Sequence, residues 1–125
     1  MSIPSATQDR YPYRNRPMWS KKEKAIARTA FDAALGRELQ EVIGKTKQMA
    51  DAIRRPTDLW DLEKYLTQRR KEIDRKYEFR ESRRIDVLGR LLYENRLGER
   101  DLHGLSADKV KSIRSFAKFL ENDAA

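Results

Sequence analysis

Between Ser20 and Ile53 the apolar residues Leu35, Leu39, Val42, Met49 and Ile53 recur in helical steps of three, four and seven, with Thr46 in register and Phe31 extending the stripe upstream. That spacing predicts one long amphipathic helix. Ser20 and Glu23 supply an S-x-x-E capping box for its start, and Trp19 stands where an apolar residue before the cap would staple the first turn. No proline follows until Pro56. Positions 20–55 would form a rod of about 54 Å, whereas a compact globule of this chain length is only about 36 Å across. The rod must project, or be covered by a second chain.

Pro56-Thr57 breaks the rod, and Thr57 or Asp58 can cap a second helix over 57–81 whose inner face carries Leu59, Leu62, Leu66, Ile73 and Tyr77. Arg69 stands where that stripe expects an apolar residue, with a methylene stem able to pack there. So short a connection forces an antiparallel hairpin. Further on, Ile85, Val87, Leu88, Leu91 and Leu92 are denser, as in a helix buried in a small head, and Gly89 among them admits a close neighbour. Leu97-Gly98 ends this third helix, and a fourth begins near Ser106 with Val110, Ile113, Phe116, Ala117 and Leu120 inward. Residues 121–125 should fray. Period-two alternation bounded by turns occurs nowhere. The pattern predicts an all-α chain forming a single domain over 19–125. Its long antiparallel helical hairpin is a stalk, with helices about 20–55 and 57–81, and its small C-terminal helical head covers about 82–120.

Composition narrows the function classes. Of 125 residues only 38% are apolar, thin for a self-contained globule and typical of half-wetted helices. Lys and Arg number 28 against 20 acids, a net charge of +8 with both signs mixed, which favours a moderately basic protein over a polycationic tail. Residues 1–18 hold Pro4, Pro12, Pro17, Arg10, Arg14 and Arg16 with few aliphatic side chains, and read as a flexible tail. Tyr11 and Tyr13 give that tail a second reading as an arm that stacks on a partner. There is no cysteine and one histidine, His103, which removes thiolate zinc sites, disulfides, a Cys nucleophile and paired-histidine metal sites within one chain. No metal and no cofactor are expected. The absence of a long apolar run and of a signal-peptide core places the chain in the cytoplasm.

His103 lies in the polar stretch Asp101-Leu102-His103-Gly104, a loop between helices, with no nucleophile motif beside it. GxGxxG, P-loop and HExxH patterns are absent as well. The carboxylates mostly neighbour Lys or Arg, as in Glu41 with Lys45 and Glu72 with Lys76, and read as solvated helix faces. No catalytic residue is assigned, and enzyme is the least supported class. Lys21, Lys22, Lys24 and Arg28 could contact a polyanion, because lysines at a helix N-terminus oppose the macrodipole and do nothing for the helix itself. The second basic run, Arg69, Lys76, Arg80 and Arg83, is threaded with acids. Seven basic and seven acidic residues over 57–81 make a poor phosphate track, so nucleic acid stays a runner-up partner. Trp60 stands beside Leu59, so both cannot face one core. Either Trp60 is an exposed interface aromatic rimmed by Asp58, Asp61, Glu63 and Lys64, or the helix buries both residues on two sides.

A longer pattern emerges from Trp19-Ser20 with Glu23, Phe31, Arg37-Glu38-Leu39, Asp58-Leu59-Trp60, Leu62 and Leu66. It continues through Arg70, Glu72-Ile73-Asp74, Lys76-Tyr77, Arg80, Ser82, Ile85, Leu91-Leu92, Leu97, Leu102, Leu105, Ala107-Asp108-Lys109 and Ile113. Over roughly residues 19–119 the chain resembles the fluorescence recovery proteins. The resemblance implies a homodimer, or a higher oligomer, of all-α chains with long helices as the central stalk. It also implies regulation of cyanobacterial photoprotection, through binding of light-activated orange carotenoid protein and faster return of that protein to its resting form. No small-molecule substrate is involved. The seam expected from the stripe is Leu35, Leu39, Val42, Met49, Ile53 and Leu59. On the partner-binding surface, Trp60 and Arg70 match the family's tryptophan and arginine, while a His-Asp pair tends to stand where this chain has Glu63-Lys64. An aromatic residue and a lysine of the family correspond to Asp86 and Ser112, and these departures keep a different protein partner as the alternative to orange carotenoid protein.

Overall fold

The computed structural model describes residues 18–124. They form four α-helices, α1 (Lys21–Asp51), α2 (Pro56–Lys76), α3 (Arg84–Tyr93) and α4 (Ala107–Ala124), with 3-10 turns at Glu81–Arg83 and Glu99–Leu102. Among the described residues there is no strand. The tail expected over 1–18 lies outside them except for Met18.

The start of α1 is the expected capping box. Ser20 Oγ accepts from the Glu23 amide at 3.1 Å, and Glu23 Oε1 accepts from the Ser20 amide at 3.0 Å. Trp19 does not staple the first turn, because the residue it would meet there is the charged Lys24. It packs against the core instead, with the Arg84 guanidinium 4.9 Å and the Lys109 ammonium 5.4 Å from its ring centroid.

Both hairpin helices are shorter than their periodicity promised. α1 ends at Asp51 rather than 55, and Arg55, which precedes Pro56, is held in extended backbone, φ −127° and ψ 153°. The cap residue of α2 is Arg55, not Thr57 or Asp58, because Pro56 takes the first helical position. Asp58, in the first turn, fixes the connection by accepting at Oδ2 from the Arg54 amide at 2.8 Å and the Arg55 amide at 3.0 Å. Ile53 therefore sits in the connection, half-buried, and not on the helix. The end of α2 falls at Lys76 rather than 81, because Tyr77 and Phe79 turn inward and stack edge-on against Phe31 at 5.2 and 4.8 Å. At the other extreme α4 runs on through Ala124 where fraying was expected, with no glycine or proline to stop it after Leu120.

The core joins the first half of α1 to the C-terminal helices. Ala27, Ala30, Phe31 and Ala34 pack with Val87, Leu88 and Leu91 of α3, Ile113 of α4, and Leu97, Leu102 and Leu105 of the connections. Phe31 thus belongs to this core and does not extend the Leu35 stripe. Three alanines on one face allow α1 to lie close against α3. Gly89 allows a closer approach still: a Cβ there would lie 2.8 Å from Phe116 Cδ2 and 3.0 Å from the Ile113 carbonyl oxygen. Past Ala34 the α1–α2 hairpin buries little, and Leu39, Ile43, Leu59 and Leu66 are between 39% and 49% exposed.

Candidate functional site

Two assemblies of side chains stand out, one on the open face of α2 and one where the hairpin meets the core. On α2, Trp60 is 63% exposed and the neighbouring Leu59 is exposed too, so a single chain buries neither. Glu63 and Lys64, three and four positions on, share the face of Trp60 and line a shallow groove with Thr67, Gln68 and Lys71. Arg70 stands about 15 Å further along the axis. Its guanidinium is almost wholly in water, and its nearest carboxylate, that of Asp74, is 4.0 Å away. Asp86 and Ser112 are elsewhere. Asp86 lies half-buried on α3 within 3.4 Å of Arg83 Nη1, and Ser112 lies half-buried on α4. The seam residues Leu35, Val42 and Met49 are half-buried on α1, while Leu39 is exposed.

The second assembly centres on Glu38, whose side chain is wholly buried. Its Oε2 accepts from Arg69 Nη2 and Lys76 Nζ, and its Oε1 from Tyr77 Oη, each at 2.8 Å. Arg96 Nε lies 3.4 Å from Oε1, and Glu94 binds both Lys76 and Arg96. Burial alone would raise the Glu38 pKa, but the hydrogen bonds from Lys76, Arg69 and Tyr77 outweigh it and hold the group at about 2. Burial and the adjacent Glu38 carboxylate together push the Tyr77 hydroxyl well above the usual tyrosine range. A carboxylate wholly buried, accepting three hydrogen bonds and held ionised, is unsuited to acid-base work. It ties α1, α2 and the α3–α4 connection into one joint.

This joint corrects the reading of the carboxylates as solvated helix faces. Glu41 pairs with Arg96 at 2.8 Å and not with Lys45, while Lys76 turns away from Glu72, which takes Arg69 at 2.7 Å. Glu23 is buried as well, accepting from the Ser106 amide at 2.8 Å and lying 3.2 Å from Lys109 Nζ. The amides of Ser20 and Ser106 hold its pKa down at about 2. The sequence carried two signals for the joint. Arg69 interrupts the apolar stripe of α2, and Glu38 continues the face Ala27, Ala30, Phe31, Ala34, which is distinct from the Leu35 stripe.

At the N-terminus of α1, Lys21 and Lys22 are exposed. Lys24 lies 3.8 Å from Glu81, and Arg28 lies 3.6 Å from Asp32 and stacks 4.6 Å above the Phe79 ring. Half of the possible polyanion contact is thus already neutralised. His103 is exposed at the end of the second 3-10 turn. No group of three or more His, Cys, Asp or Glu side chains is arranged to hold a metal among the described residues. None of the described helices is long and apolar enough to cross a membrane.

The family model of the photoprotection regulator fluorescence recovery protein matches residues 19–117, which include the capping box, the joint and Trp60. The chain belongs to this family. The fluorescence recovery protein of Synechocystis sp. PCC 6803 is 36% identical over 100 residues, spanning 80% of this chain and 92% of the relative. Its solved structure superposes with a TM-score of 0.76 at 36% identity, covering 81% of this chain and 99% of the other. The structure of the Fremyella diplosiphon fluorescence recovery protein gives the same TM-score and coverage at 33% identity. The all-helical fold inferred from periodicity is therefore the fold of solved family members.

Proposed function

We propose that this chain is a non-enzymatic regulator that works in the cytoplasm as a homodimer and hastens the return of photoactivated orange carotenoid protein to its resting form. Family membership supports the class of function, and the exposure of Trp60 on α2 is the observation that carries the site. A large aromatic left in water beside charged neighbours is the usual anatomy of a binding anchor. Leu35, Leu39, Val42, Met49, Ile53 and Leu59 supply an apolar seam along the hairpin, which then acts as the stalk of the dimer, with the helical core as its head. No bond is made or broken in such a reaction. The regulator lowers the barrier by binding the arrangement at its top more tightly than the activated state.

Trp60 and Arg70 anchor the partner in this reading, and Glu63, Lys64, Asp86 and Ser112 set which partner is accepted. Reversed charges at a close contact cost several kcal/mol, on the order of the whole discrimination between related partners. The partner is therefore an orange carotenoid protein whose surface suits Lys64 where other members present an acid. The polyanion reading loses ground, since Lys24 and Arg28 are already compensated. The test is the rate of red-to-orange recovery in the dark, with and without the protein, using a carotenoid protein from the same genome. Acceleration is the expected result, and an unchanged rate at saturating protein overturns the reading.

A further inference from the structure

A cleft of about 480 Å³ opens between α2 and the α3–α4 pair, directly outside the Glu38 joint. Its charges do not balance. Glu38 is engaged by Arg69, Lys76 and Tyr77, and Glu72 is taken by Arg69. Glu94 is taken by Lys76 and Arg96, and Asp86 lies beside Arg83. Two further guanidiniums line the same cleft, Arg75 from α2 and Arg90 from α3. Both are exposed, and neither has an ion pair or a side-chain hydrogen bond among the described residues. Arg96 also lines the cleft, but its guanidinium is already turned to Glu38, Glu41 and Glu94. Val87 and Phe116 make part of the wall apolar.

Planar forked donors on facing walls, with every nearby carboxylate already engaged, are complementary to planar or tetrahedral oxyanions. A recess between two elements also strengthens the attraction relative to open water. We propose that this cleft is a binding site for a small multivalent oxyanion, carboxylate or phosphate, held between Arg75 and Arg90. Because its two walls belong to α2 and α3, an occupant bridges the hairpin and the core and stiffens the joint between them. The site adjoins the α2 groove of Glu63 and Lys64, with which it shares Glu72 and Arg75, but its test does not depend on the carotenoid-protein reading.

The experiment is calorimetric titration of the full-length protein with inorganic phosphate and, separately, with citrate, at constant ionic strength set by sodium chloride. Saturable binding of at least one of them, at one site per chain, is expected, and the pair of titrations tells a phosphate site from a carboxylate site. Arg75→Gln and Arg90→Gln should each weaken binding about tenfold or more, and together abolish it. Lys118→Gln on α4, outside the cleft, should leave binding unchanged. Should the double glutamine variant fail to fold, Arg75→Lys with Arg90→Lys keeps the charge and removes the fork, and must still weaken binding. Failure of both anions to bind saturably, or equal binding by the wild type and the arginine variants, overturns the proposal.

Discussion

Tyr77 Oη donates a 2.8 Å hydrogen bond to Glu38 Oε1 across 39 residues of sequence, at the point where α2 ends and the chain turns into the core. The same carboxylate receives Lys76 and Arg69, so one buried anion fixes the last two turns of α2 against the middle of α1. The packing of Phe31 on Tyr77 and Phe79 closes the joint from the other side.

Glu38→Gln leaves shape nearly unchanged but removes the buried charge around which Arg69, Lys76 and Arg96 are organised, leaving them only Glu72, Glu94 and Glu41. Removing one partner from such a buried set should cost about 3 kcal/mol. Thermal unfolding followed by circular dichroism should show a midpoint lower by roughly 10 °C or more. Glu41→Gln, which loses only a surface partner of Arg96, should stay within about 1 kcal/mol of the parent.

Acid should loosen the molecule through the same groups. Glu38 and Glu23 both sit at about 2 in the folded chain against an ordinary value of 4.5. The unfolded chain therefore takes up protons first as pH falls. The stability these groups contribute is complete above about pH 4.5 and is lost progressively towards pH 2. Urea midpoints measured across that window should fall with pH, and the slope should be shallower in Glu38→Gln.

Two glycine substitutions should move stability in opposite directions. A Cβ on Gly89 meets Phe116 at 2.8 and 2.9 Å and the backbone oxygen of Ile113 at 3.0 Å, so Gly89→Ala forces α4 away from α3. The expected loss is about 1–3 kcal/mol. Gly44 lies within α1 with nothing within 4 Å of a Cβ, and Gly44→Ala should gain up to about 1 kcal/mol from helix propensity. Chemical denaturation of the two variants checks both signs.

Light scattering tests the seam. The wild type should weigh about twice the 14.8 kDa of one chain. Leu59→Glu, or Leu39→Glu, should shift the mass towards one chain with helicity retained, because a charge in a dry seam costs several kcal/mol. A wild-type mass of one chain would remove the dimer from the proposed function.

Trp60→Ala should leave mass and melting temperature unchanged and abolish acceleration of carotenoid-protein recovery. Loss of a central aromatic anchor costs about 2 kcal/mol or more, roughly thirtyfold in affinity. Against a cyanobacterial carotenoid protein from another source, the parent should act weakly. Glu63→His with Lys64→Asp should improve that action by removing a repulsion as well as adding an attraction. Strong action by the parent on that heterologous partner would show that these positions do not set specificity.

The features legible in the sequence were those whose partners are close in the chain. Ser20 and Glu23 are three residues apart, and the small size of Gly89 signals contact whatever its partner is, whereas the cap of α2 fell to Arg55 and not to Thr57 or Asp58. Helix type followed from spacing alone. The joint was signalled only by the register of Glu38 with Ala34 and by Arg69 in an apolar stripe, and its pairing was not legible, because the partners of Glu38 are 31 to 39 residues distant. The ends of α1 and α2 were misplaced for a related reason. Periodicity records which face is apolar and not where a helix stops, and the end of α2 depended on the pull of Phe31 on Tyr77 and Phe79.

The Glu23 carboxylate meets the Ser106 amide across 83 residues, and Ala27 and Phe31 share their core with Ile113. The core is thus assembled from the two flanks of the chain, with the second half of α1 and the whole of α2 inserted between them. During translation the hairpin emerges from the ribosome before residues 84–124 do. Closing a loop of that span costs about 4 kcal/mol of chain entropy in an unstructured polypeptide. A hairpin formed early shortens the effective loop, but it also presents Leu39, Ile43 and Leu59 to neighbouring nascent chains before any core exists. On a polysome, two such hairpins emerge side by side, and pairing between them can precede the folding of either chain.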